Sequence, residues 1–129
     1  MANKNVNNVT AEIMRLAYQN TFEAFEKTLT GHDVSRRAYT IMGERDDSLC
    51  LICDEGVWKV FHSERGTRFD TRDFENVTDA CLYIIHRLSA SGEKELEMMS
   101  SFLRELQKTQ NTALSPKAVF DAVQNAMAS

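Results

Sequence analysis

No stretch of this chain approaches the roughly 18 consecutive apolar residues that would argue a membrane span. No block of five or more like charges occurs anywhere in it, and the net charge is -4, from 15 basic and 19 acidic residues. An acidic chain without a basic run is a poor direct partner for nucleic acid. G-x-S-x-G, P-loop, H-E-x-x-H and G-x-G-x-x-G patterns are all missing, so no motif asks for an enzyme, a catalytic residue or a cofactor. Internal repeats and low-complexity tracts are missing as well. The first eight residues, MANKNVNN, lack the apolar stretch of a secretory signal and read as a flexible start, which makes a cytoplasmic location the expectation. With 43% apolar and 26% charged residues, the 129-residue chain has the composition of one globular domain with a real core.

Over residues 9–30, Ile13, Met14, Ala17, Tyr18, Phe22, Phe25 and Leu29 fall on one side of a helix. Glu12, Arg15, Gln19, Glu23, Glu26 and Lys27 take the other side, and Gly31 suits a C-terminal cap. Residues 36–70 change to short aromatic and branched runs separated by turn residues. Strands are expected at 37–43, 48–53, 57–63 and 67–70, joined by hairpins into an antiparallel meander. In such a meander the turns GERDD (43–47) and SERG (63–66) share one end of the sheet, and DEG (54–56) lies at the other. Residues 76–91, capped by Asn76 or Thr78, carry the cleanest helical stripe: Val77, Ala80, Cys81, Ile84, Ile85 and Leu88. A C-terminal helical pair over 93–127 follows, the first with Leu96, Met99, Leu103 and Leu106 at seam spacing and Phe102 beside them. The second starts at Ser115-Pro116 and turns Val119, Ala122, Val123 and Met127 inward. The order predicts an α+β fold, an antiparallel sheet covered on one face by helices. A monomer is expected, although Met98, Met99 and Phe102 would suit self-association if exposed.

Chemistry is suggested first by Cys50 and Cys53, spaced C-x-x-C. In a strand, residues three apart point to opposite faces, so the sulfurs should not meet. Cys81, His32, His62 and His86 add no second close-spaced pair, and a metal site is not expected. Three cysteines, an odd number, fit a reducing compartment. An enzyme using His62 or Cys50 with nearby carboxylates would require those groups to cluster in a pocket. Residues 44–55 hold Glu44, Asp46, Asp47, Asp54 and Glu55 against Arg45 alone. Glu64, Arg65, Arg68, Asp70, Arg72 and Asp73 crowd the stretch after His62. As solvated turn residues such charges form exposed ion pairs worth under about 1 kcal/mol each.

Taken as an ordered set, Gly43, Glu44, Arg45, Trp58, Val60, Phe61, Ser63, Glu64, Arg65, Gly66, Phe69, Asp70, Asp79, Ala80 and Cys81 form a familiar pattern. It runs G-E-R, an apolar strand, W-x-V-[FY]-x-S-E-R-G, an aromatic-Asp step and a D-A-C helix start. It resembles the small immunity proteins of bacterial polymorphic toxin systems, including those of contact-dependent growth inhibition. The resemblance spans about residues 36–90 and leaves the last two helices outside it. It implies a non-catalytic protein that binds and neutralises a cognate toxin C-terminal domain, often a nuclease, inside the producing cell. Acidic residues facing a nuclease's phosphate-binding surface would suit that role. The expected contact is the end shared by the two motif turns: Glu44, Arg45, Asp46, Asp47, Glu64 and Arg65. The alternative makes these residues structural, with Glu44 or Glu64 pairing an arginine across adjacent turns. A second reading of the whole chain is a small regulatory or adaptor domain, chaperone-like, that binds a protein through its C-terminal helices.

Overall fold

The computed structural model describes residues 12–109 and Gln124; the flexible start expected at 1–8 and the helix expected from Ser115 lie outside the described residues. Residues 12–17 are helical, and the helix resumes after a turn at Tyr18 as α1, Gln19–Gly31. Backbone bonds run through the turn, from Tyr18 to Met14 and from Phe22 to Tyr18. A short 3₁₀ turn, Arg36–Ala38, leads into β1, Tyr39–Ile41. Then come β2 (Ser48–Asp54), β3 (Val57–Glu64), β4 (Thr67–Phe74), α2 (Val77–Leu88) and α3 (Gly92–Thr109). The fold is α+β, with one four-stranded sheet in the order β1-β2-β3-β4.

The meander is antiparallel from β2 onward, but β1 runs parallel to β2, with Tyr39 opposite Leu49 and Ile41 opposite Leu51. This corrects the expected hairpin. β1 is only three residues long, so residues 42–47 can return the chain to the level of its start and lay β2 alongside it. That loop bends through positive φ at Met42 (58°) and Asp47 (61°); aspartate visits that region more readily than most residues, but methionine gives no warning of it. β4 runs four residues beyond its expected end. It carries a one-residue bulge: Val60 pairs with Arg72 and His62 with Phe69, leaving Asp70 (φ 54°) and Thr71 opposite Phe61. Such a bulge twists an edge strand and discourages further pairing.

The β2–β3 and β3–β4 turns are two-residue connections with positive φ at both central positions: Glu55 (51°) and Gly56 (83°), then Arg65 (51°) and Gly66 (78°). This is the type I′ pattern, whose twist matches that of paired strands. Gly31 takes no such role; the left-handed residue after α1 is Asp33, at 62°. Asn76 caps α2 as expected, its side chain accepting the Asp79 N–H at 2.8 Å.

Side chains alternate across the sheet. Leu49, Leu51, Trp58 and Val60 face the helices and join Phe22, Phe25, Leu29, Ala80, Ile84 and Phe102 in one core. Trp58 meets Tyr18 and Phe22 edge-on, at 5.2 and 6.0 Å between ring centres. Phe25 does the same with Tyr39 and Phe102, at 5.9 and 5.8 Å. Phe102 and Met98 therefore supply α3's inward stripe. Leu96 and Leu103 of the expected seam are 67% and 44% exposed, because α3 packs on α1 through Phe102. Among the described residues no helix is long and apolar enough to cross a membrane.

Candidate partner-binding site

Among the described residues no helix packs on the opposite face of the sheet, yet Ser48, Cys50, Phe61 and Ser63 are buried there. Residues 42–47 lie against three of them, Ser48, Cys50 and Ser63. The Arg45 N–H and carbonyl lie 3.5 and 3.6 Å from the Cys50 sulfur. Ser48 Oγ donates to the Arg45 carbonyl at 2.8 Å. From β4, the Arg68 guanidinium stands 4.4 Å from the centre of the Phe61 ring. It is ion-paired with Glu44, whose hydrogen bond raises the arginine's pKa. The β4 arginine, held by Glu44 of the loop, thus lies against the buried Phe61 ring.

Because β2 begins where β3 ends, the turns at 43–47 and 63–66 are neighbours, as expected, even though the first strand runs the other way. Asp46 Oδ1 accepts from Ser63 Oγ at 3.3 Å and from the Gly66 N–H at 3.1 Å, tying one turn to the other. The Asp47 N–H donates to the Ser63 carbonyl at 2.7 Å. Arg45 points away, its Nη2 donating to the carbonyls of Arg36 at 2.7 Å and Tyr39 at 3.2 Å. The six expected contact residues therefore divide. Glu44, Arg45 and Asp46 are engaged in holding the fold, with Glu44 pairing an arginine across the turns. The exposed side chains of Asp47, Glu64 and Arg65 make no hydrogen bond or ion pair among the described residues.

Cys50 and Cys53 are free cysteines on opposite faces. Cys53 faces the helix side, and burial pushes its thiol up to about 11. His62, opposite Leu49, also lies on the helix side, so it shares no site with Cys50. Among the described residues no group of three or more His, Cys, Asp or Glu side chains is placed to hold a metal ion.

A cleft of about 360 Å³ opens beside β1. Arg15 from the first helical turns, Arg36 from the 3₁₀ turn and Arg45 from the loop all line it, with Glu23 and Glu26 on the helical wall and Phe22 and Tyr39 below. The Tyr39 hydroxyl has its pKa raised by burial and by the charge of Glu26, against which Arg36 acts. Of these residues only Arg45 belongs to the expected site. Arg15 carried no signal because its helical position places it with the solvent-facing set; a strand edge happens to lie under that side. Comparison of the chain with protein families, curated proteins and solved structures finds no match.

Proposed function

We propose that this chain is an immunity protein: it binds a cognate toxin domain in the cytoplasm, a nuclease being the best fit, and holds it inactive in a tight non-catalytic complex. The observation that carries this reading is the division among the charged residues at the end shared by the two motif turns. Glu44, Arg45 and Asp46, with Ser63, Gly66 and Arg68, build a tied frame, and the exposed side chains of Asp47, Glu64 and Arg65 have no ion pair among the described residues. A backbone frame that is already set spares the loop-ordering cost of binding, so only the projecting side chains have to be ordered. Two carboxylates on that end complement a surface built to hold phosphates, and complementary charge speeds encounter and selects the partner.

Co-purification from the native host, followed by expression of the captured toxin with and without this chain, tests the reading. Protection by this chain alone is the expected result, and a bound protein without toxic activity sinks the proposal. The double charge reversal Asp47→Lys/Glu64→Lys is expected to weaken toxin binding by about tenfold or more and to reduce its salt dependence. Unchanged affinity and salt slope would remove this end of the sheet as the contact. The adaptor reading draws on the exposed Leu96 and Leu103 of α3. It gains if a non-toxic partner is captured and Leu96→Asp/Leu103→Asp releases it.

A further inference from the structure

The cleft beside β1 has a polarity at odds with the rest of this acidic chain. Three guanidiniums from three separate elements face two carboxylates, and one of those carboxylates, Glu23, already accepts from Gln19 Nε2 at 2.9 Å. Two of the guanidiniums are fixed. β1 is an edge strand, and the Met42 N–H bonds to the Leu51 carbonyl of β2 at 2.6 Å. Alternation then turns the Tyr39 and Ile41 carbonyls outward. Arg45 Nη2 bonds to the first at 3.2 Å and Arg15 Nη2 to the second at 3.1 Å. Carbonyls two residues apart on a strand are about 6.6 Å apart, so these guanidinium donors are held side by side along the cleft. Their bonds occupy the strand edge and oppose addition of another strand there. The third guanidinium, Arg36, lines the same cleft and makes no side-chain hydrogen bond or ion pair among the described residues.

We infer that this cleft is an anchor pocket for one carboxylate side chain, Asp or Glu, of the partner protein, taken by Arg36 and steadied by the N–H groups of Arg15 and Arg45 that have no acceptor among the described residues. The inference rests on the protein-binding reading above and adds a second contact of opposite sign to the Asp47–Glu64 end. A single carboxylate suits the lining better than a polyphosphate. Glu23 and Glu26 stand in the wall and the chain carries a net charge of -4, which together repel an extended polyanion but leave one short acidic side chain within reach of several donors. Concave sites of this kind are where interface anchors concentrate their energy.

Arg36→Gln is the informative variant, because removing that side chain breaks no internal bond among the described residues. In the full chain, the arginine Nε–H signals are followed by NMR while N-acetyl-glutamate methylamide is added, with N-acetyl-glutamine methylamide and inorganic phosphate as controls. The expected result is a saturable shift at Arg36, with smaller shifts at Arg15 and Arg45, produced by the glutamate probe and lost in Arg36→Gln. Equal shifts from the glutamine probe, or stronger saturation by phosphate, overturn the carboxylate assignment. With the captured toxin, Arg36→Gln is expected to weaken binding about tenfold. Unchanged affinity overturns the assignment to the partner even if the probe binds. A wild-type chain that binds no toxin defeats the immunity reading instead, and the probe titration still decides whether the cleft takes a carboxylate.

Discussion

On the helix side of the sheet Trp58 meets the rings of Tyr18 and Phe22, and Phe25 meets those of Tyr39 and Phe102. On the other side Phe61, just as fully buried, meets a guanidinium, and Cys50 meets the backbone of a six-residue loop. Both faces exclude water, by different means. Helices do it with apolar residues at helical spacing, Phe25 and Phe102 among them. The loop does it with a few directed bonds, from Glu44 to Arg68 and from Asp46 to Ser63 and Gly66. Of the resembling pattern, Glu44, Arg45, Phe61, Ser63 and Gly66 belong to that second side and Trp58, Val60, Ala80 and Cys81 to the helix-side core, so part of the pattern is explained by closing the sheet before any partner is considered.

The largest effect that separates the two covers is a pair of truncations. Phe25→Ala opens a cavity among tightly interlocked rings and should cost about 4–5 kcal/mol in denaturant unfolding, the upper part of the range for such changes. Phe61→Ala should cost about 3 kcal/mol, because the loop and Arg68 can settle into the space. Equal costs would mean that the loop is as rigid as the helical layer and would break the distinction.

How much of the molecule is legible in its sequence follows the same divide. The helix side is written in periodicity: the stripe from Val77 to Leu88 and the aromatic residues of α1 identify their own buried faces. In α3 two stripes compete, and the choice of Met98 and Phe102 over Leu96 and Leu103 is made by Phe25 on another element. The loop side is decided by long-range geometry. Short connections favour hairpins, so the parallel β1 is hidden in positive φ at Met42 and Asp47. The adjacency of the two motif turns is still recoverable, because it depends only on the β2–β3 pairing. The Glu44–Arg68 pair is half-visible as a charge needing an arginine across the turns. The cleft is not, since Arg15, Arg36 and Arg45 converge only once β1 has become an edge.

The latch itself offers the next smaller test. Arg68→Ala removes a half-exposed ion pair and a cation–π contact, and about 1 kcal/mol is expected from the two together. Glu44→Gln should cost less. A double-mutant cycle between them should show coupling of a few tenths of a kcal/mol, and amides of residues 44–47 should exchange faster in either variant while those of α1 are unaffected. No change in exchange would show that backbone bonds alone hold the loop down.

The smallest effect near neutrality is one of pH, and it belongs to the helix side. Cys53 has its pKa raised from an ordinary 9.0 to about 11, mainly by burial, with the charge of Asp54 adding and a backbone hydrogen bond from Gly56 opposing. Tyr18 is raised from 10.0 to about 12, again mainly by burial. A raised acid keeps its proton in the folded chain at pH values where the unfolded chain has lost it. Its contribution is therefore complete below the unfolded pKa and is lost as pH rises through the folded one. Stability should be flat with respect to these groups up to about pH 9 and then fall, with Cys53 acting between 9 and 11 and Tyr18 between 10 and 12. Cys53→Ala should leave the neutral-pH pH dependence unchanged and flatten the first part of the alkaline fall in urea titrations at successive pH values. If the wild-type and variant curves remain parallel from pH 9 to 11, the thiol ionises as readily in the folded chain as in the unfolded one, and the helix side is wetter around Cys53 than its place opposite the buried Trp58 implies.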